Sequence, residues 1–154
     1  MISVVELKNQ EIEVALKINY MVFNGEQGIP KKIIPVSSTL TPKWYGLYIN
    51  NVLAGTAAFW SENNQWHWGR YAILDEYRGR GLGKVLFYFS FKLFYQSNLV
   101  DEVFIEARES AMNIALKYGA KVIGKKKVFY GIVIPMKLNR GDFNKIAELP
   151  EYKD

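Results

Sequence analysis

Residues 77–87 read YRGRGLGKVLF, from Tyr77 to Phe87. Gly79, Gly81 and Gly83 alternate here with other residues, among Arg78, Arg80 and Lys84, and the chain then runs straight into an apolar segment. Glycine costs conformational entropy and has no side chain to pack, so so dense a cluster marks a backbone that bends sharply or approaches another group closely. The cations make an anion the natural guest. Upstream, Arg70 to Leu74 reads as the end of a strand; downstream, LGKVLFYFSFKLFYQS from Leu82 is long enough for a helix and apolar on nearly all sides. Strand, glycine turn and helix start would present consecutive N–H groups from Arg78 to Lys84, with the helix macrodipole behind them, to phosphate oxygens.

Spacing excludes two familiar nucleotide loops. A P-loop ending at Gly83 requires a glycine where Arg78 stands and a serine or threonine where Val85 follows Lys84. A dinucleotide fingerprint requires its third glycine at Lys84 or at Leu86, depending on its start. A pyrophosphate held by backbone amides is what remains.

Working outward, 154 residues suit one domain, and 49% hydrophobic residues are enough for a core. Lysine plus arginine exceed aspartate plus glutamate by 20 to 15, a net +5, which favours an acidic ligand without naming it. The absence of cysteine rules out disulfides, thiolate metal sites and cysteine nucleophiles, and a single histidine argues against a histidine-rich metal centre. No stretch reaches the ~18 apolar residues of a membrane span, and the N-terminus lacks a basic flank followed by a long apolar run, so a cytoplasmic protein without membrane contact is expected. The aromatic content of 15% and the run Lys125–Lys127 suggest nucleic acid at first sight, but Phe87, Tyr88, Phe89, Phe91, Phe94 and Tyr95 crowd one helix and read as core. No nucleic-acid partner is expected.

Along the chain, Ile2 to Leu7 reads as a strand and Asn9 as the cap of a helix with Glu11 and Glu13 in its first turn. Ile12, Ala15, Leu16 and Val22 fall on one face of that helix, which should stop by Asn24-Gly25 before a proline-rich loop to about Lys43. Trp44–Ile49, Val52–Trp60 and Trp66–Leu74 form a three-strand meander with turns at Asn50-Asn51 and Ser61–Gln65. Val103–Glu106 is a brief strand, Ser110–Tyr118 a helix stopped by Gly119, and Val122–Leu138 a hairpin turning at Tyr130-Gly131. The tail after Asn139 reads as polar. The order predicts one mixed α/β domain without repeats or linkers.

On these residues the chain resembles the GCN5-related N-acetyltransferase (GNAT) superfamily. Its cofactor motif is Arg or Gln, two residues, Gly, one residue, Gly or Ala, matched by Arg78, Gly79-Arg80, Gly81, Leu82 and Gly83. VFNGEQGIP, Val22 to Pro30, is similar to the "VF..EQG.P" segment of one branch, which borders the acceptor site, and Ile105 to Lys121 resembles that branch's strand and helix. The chain departs from the pattern at Asn19, where the branch commonly has arginine, and at Ala120, where phenylalanine is usual. It also carries Ala115 in place of the tyrosine that usually protonates the departing thiolate.

The resemblance implies an α/β (α+β) fold, a mostly antiparallel mixed sheet flanked by helices, and transfer of acetyl from acetyl-CoA to a primary amine by direct attack, without metal. Ile73, Arg78, Gly79, Arg80, Gly81, Leu82, Gly83 and Lys84 would bind coenzyme A, with the pantetheine arm beside Ile73 and Ile105 and the Ile73 N–H as oxyanion donor. Direct attack needs a neutral amine, so a carboxylate or imidazole must take a proton. His67, Glu26 and Glu106 are the candidates. Tyr118, three residues beyond Ala115 and near the same helical face, is a candidate substitute acid. The acceptor is a small-molecule or peptide amine, and a homodimer is an assembly left open. Two other readings stand beside this one: a non-catalytic acyl-CoA-binding module that lost turnover with the tyrosine, and an N-acyltransferase for longer chains.

Overall fold

A computed structural model describes residues 1–146, 150 and 151. Three antiparallel strands, β2 (Lys43–Ile49), β3 (Val52–Glu62) and β4 (Gln65–Ile73), form the predicted meander. Both of its turns are asparagine pairs in the left-handed region: Asn50 and Asn51 at φ 46° and 70°, Asn63 and Asn64 at 53° and 62°. Asparagine tolerates that region and the geometry matches the strand twist, so these pairs set the register. The second turn is therefore tighter than the Ser61–Gln65 span expected from sequence.

Strand β1 (Ile2–Glu6) pairs antiparallel with β2. Beyond β4 lies β5 (Glu102–Arg108), in the one parallel pairing among the described residues, followed by β8 (Ile132–Asn139). The arm preceding β8 is broken into β6 (Lys121–Val122) and β7 (Lys127–Val128), and the turn into β8 falls at Tyr130 and Gly131, φ 51° and 110°, as expected. The result is an eight-stranded, mostly antiparallel sheet.

Helices cover both faces. On one lies α1 (Gln10–Asn19), which continues as a wider π-helical turn through Tyr20–Glu26. Asn9 does not cap it with its side chain, contrary to expectation: its backbone sits at φ 54°, and the Glu11 carboxylate accepts from the Lys8 N–H at 3.1 Å instead. Ala15, Ile18 and Val22 pack there against Trp44, Ala58 and Ala72.

The other face carries α2 (Leu82–Ser97), α3 (Glu109–Lys117) and α4 (Arg140–Ile146). The aromatic residues of α2 are core: Phe94 stacks on Phe59 at 4.0 Å, and Phe91 meets Phe59, Trp68 and Phe143. Fully burying one such ring is worth about 1.5–3 kcal/mol, which offsets the entropy of fixing it. Helix α4 corrects the reading of the tail as merely polar, since Phe143 anchors it at 1% exposure. The rest of that tail, 147–149 and 152–154, lies outside the described residues. Among the described residues no helix is long and apolar enough to cross a membrane.

Candidate active site

The site begins where two strands part. Pairing of β4 with β5 covers Trp66, His67 and Trp68 against Val103, Phe104 and Ile105, and stops there although both strands run on, to Ile73 and Arg108. The break coincides with a bulge in β4: the register against β3 shifts between Thr56 and Ala58, and Arg70 takes φ 53°. A bulge puts extra residues into one strand and bends it away from its neighbour. Asn19 holds this one. Its Nδ2 donates to Thr56 Oγ1 at 2.9 Å and reaches Arg70 O at 3.4 Å, and Thr56 Oγ1 donates to the same carbonyl at 3.3 Å. Asn19 is fully buried, so the residue that departs from the family pattern has a structural task here.

Beyond the bulge β4 offers backbone groups to the gap. Leu74 N–H donates to Ala54 O at 2.9 Å, toward β3. Successive N–H groups along a strand point to opposite edges, so Ile73 N–H faces the gap.

The glycine loop follows a single turn at Asp75–Tyr77. Gly79 and Gly81 sit at φ 81° and 78°, where a side chain is strained, and Gly81 is the residue before the first turn of α2. Gly83 answers to a different constraint: a Cβ there would stand 2.3 Å from the Tyr71 hydroxyl. No side chain caps α2, and the N–H groups of residues 79–84 meet no acceptor among the described residues; Val85 N–H is the first to close on the helix, onto Gly81 O at 3.4 Å. Orphaned amides at the positive end of a sixteen-residue helix fit a phosphate group. Arg80 and Lys84 flank them, Arg80 lying over the Tyr77 ring at 5.6 Å.

Arg78 staples the loop in place. Its Nε donates to Ile73 O at 2.9 Å, and its two terminal nitrogens take Glu26 in a bidentate pair at 2.7 and 2.9 Å, with Asp75 at 3.4 Å. The hydrogen bonds to Glu26 push the guanidinium above its ordinary pKa. The Arg78 side chain is thus spent on the protein. So is Glu26: both its oxygens are engaged by a cation, and the structure does not bring it to the cavity described next.

That cavity, about 560 Å³, opens on the α1 side of the gap and reaches through it to Tyr71 and Ala111. Its walls include Phe23 and Ile29 from the segment after α1, Trp60 from β3, His67 to Tyr71 from β4, Phe104, Glu106 and Arg108 from β5, and Phe129. His67 lies opposite its tryptophan neighbours, as strand alternation requires, with its ring between Trp60 and Phe104 at 5.9 and 6.0 Å. Glu106 also lines the cavity but pairs with Lys127 at 3.3 Å.

Tyr118 is elsewhere. Gly119 ends α3 at φ 100° and Tyr118 turns into the core, wholly buried against Phe87, Tyr88 and Phe143. Tyr118, the expected substitute for the family's acid, does not line the cavity. Ala115 is equally buried.

Three residues of the cavity were not singled out from sequence. Burial pushes the Tyr71 phenol above its ordinary pKa, so it stays protonated. Arg70 and Arg108 are both held below the usual guanidinium range by desolvation. The one signal available was Arg70 itself, a charge following Gly69 inside a β-rich run.

The parted parallel strands thus stand beside a helix start whose amides meet no acceptor among the described residues. The family model described as "Acetyltransferase (GNAT) family" matches residues 24–124, and the chain belongs to that family. None of the curated proteins matches it in sequence. Among solved structures it is similar to ElaA from Escherichia coli, at 17% identity and a TM-score of 0.76, covering 89% of this chain and 99% of that one. It is also similar to FeeM, an N-acyl amino acid synthase from uncultured soil microbes, at 13% identity and TM-score 0.73, covering 97% and 96%. A third is the ribosomal-protein-S18-alanine N-acetyltransferase from Escherichia coli, at 16% identity and TM-score 0.66, covering 90% and 94%. These likenesses are of fold.

Proposed function

We propose that the protein is an N-acyltransferase that moves an acetyl group from acetyl-CoA to a primary amine. The observation that supports it best is the combination of the β4–β5 gap with the partnerless amides of residues 79–84. When bound, acetyl-CoA supplies the thioester. The amides of residues 79–84 hold its pyrophosphate, the Arg78 N–H being turned instead to Asp75 O at 3.1 Å, and Ile73 N–H donates to the thioester carbonyl oxygen, where negative charge gathers as the amine attacks.

His67 takes the proton from the incoming amine. It is favoured over Glu26, which Arg78 occupies, and over Glu106, which Lys127 engages. Tyr71 takes the acid role in place of Tyr118, because it lines the cavity, burial keeps its hydroxyl protonated, and that hydroxyl meets no hydrogen-bond acceptor among the described residues.

The test is free thiol release from acetyl-CoA across a panel of amines, with the N-acetyl product confirmed by mass. His67→Gln should lower kcat by ~10²–10⁴-fold with acetyl-CoA affinity unchanged. Tight coenzyme A binding with no thiol from any amine would replace this reading with that of a binding module.

A further inference from the structure

The cavity holds more positive charge than its architecture uses. Arg70 spends its Nε on the Ile34 carbonyl and lies over the Trp60 ring at 5.2 Å; its two terminal nitrogens have no partner among the described residues. Arg108 donates through Nη1 to the carbonyls of Phe129 and Tyr130, both at 2.9 Å, leaving its Nε and Nη2 without one. Neither arginine meets a carboxylate among the described residues, whereas Arg78 takes two, Glu26 and Asp75. The one carboxylate on the wall, Glu106, is matched by Lys127.

Two guanidinium groups, Arg70 largely buried and Arg108 partly exposed, face one largely apolar cavity with donors left over, an arrangement that a matching anion would satisfy. Coenzyme A's phosphates do not answer this, because their amides lie at the start of α2, outside the cavity wall. Around the arginines the wall is apolar and aromatic: Ile33, Ile34, Trp60, Phe104 and Phe129. A volume of about 560 Å³ is ample for a small metabolite.

We propose that the amine acceptor carries its own carboxylate: a free α-amino acid with a large apolar side chain, its carboxylate bound by Arg70 and Arg108 and its side chain seated among Trp60, Phe104 and Phe129. This rests on the acyltransferase reading and names its acceptor. The reaction balances simply. The amine nitrogen forms an amide bond to the acetyl carbon, the carbon–sulfur bond breaks, and the amine's proton and the thiolate end as free thiol.

The experiment compares kcat/KM for L-phenylalanine, L-phenylalaninamide and 2-phenylethylamine, in the wild type and in Arg70→Gln and Arg108→Gln, with acetyl-CoA affinity as the fold control. Charge-assisted pairing predicts a preference of ~10–100-fold for the carboxylate acceptor, lost in either variant and partly restored by Arg→Lys. Equal use of all three acceptors, or an equal loss for all three in the variants, would assign the arginines to holding their loops and overturn the proposal. If no acceptor releases thiol, the acyltransferase reading has failed, and calorimetry on the coenzyme A-loaded protein decides separately. Tighter binding of N-acetyl-L-phenylalanine than of N-acetyl-2-phenylethylamine keeps the carboxylate site; equal binding removes it.

Discussion

The third glycine of the loop and Tyr71 form a pair whose energetics can be worked from the coordinates. In Gly83→Ala the new Cβ would lie 2.3 Å from the Tyr71 hydroxyl, with the ring carbon that bears it at 3.5 Å and Ile114 Cδ1 at 3.8 Å. Only the first contact is prohibitive. The ring is rigid and packs on Trp68 at 5.0 Å, so the hydroxyl cannot simply swing aside. Overpacking of this kind costs ~1–3 kcal/mol, while alanine gains ~0.5–1 kcal/mol over glycine within a helix. Gly83→Ala alone should therefore destabilise by ~0–2.5 kcal/mol. Tyr71→Phe removes the offending atom and leaves the two ordinary contacts. In that background Gly83→Ala should stabilise by ~0.5–1 kcal/mol, a coupling of ~1–3 kcal/mol. Urea unfolding of the four proteins measures it. Additive effects, within the ~0.3–0.5 kcal/mol typical of independent sites, would refute the account of why a glycine is needed there.

Three other outcomes follow from the same geometry. Gly81→Val places a β-branched residue at φ 78°, straining the loop by ~1–2 kcal/mol or more, and should cost at least about tenfold in acetyl-CoA affinity; unchanged calorimetry on folded protein would refute the amide cradle. Ala115→Tyr does not rebuild the family's acid, because Ala115 is fully buried; the variant should lose ~1–3 kcal/mol in thermal unfolding without a gain in kcat, and a faster, stable variant would contradict this packing. Glu26→Gln breaks a half-exposed pair, so it should cost only ~0.2–1 kcal/mol and leave kcat within about threefold; a loss of ~10²–10⁴-fold would return Glu26 to the base role.

What could be read from sequence was what neighbouring residues decide. The asparagine turns and the glycines at positions 79 and 81 are recognisable because few other residues tolerate their backbone angles. The apolar face of α1 follows from periodicity, and the burial of α2 from its being apolar on nearly all sides. The bulge at Arg70 depends on Asn19 and Thr56, far away in the chain, and no local pattern announces it. Glu26 looked free because its partner, Arg78, lies 52 residues on. Tyr118 shares a helical side with Ala115, but which way that side faced was settled by Phe143, in a helix the polar tail concealed. The cavity escaped for the same reason: its wall joins the segment after α1, the start of α3, strands β3, β4, β5, β7 and β8, and the turn into β8.

The central claim is that the gap between β4 and β5 and the amides at the start of α2 form one acyl-CoA site. Backbone amide resonances followed by nuclear magnetic resonance during a titration with acetyl-CoA test it directly. The largest shifts should fall on the N–H groups of residues 79–84 and of Ile73, with smaller ones at Tyr71 and along β5 beyond Ile105. Shifts confined to other surfaces, or saturable binding that leaves residues 79–84 unmoved, would contradict it.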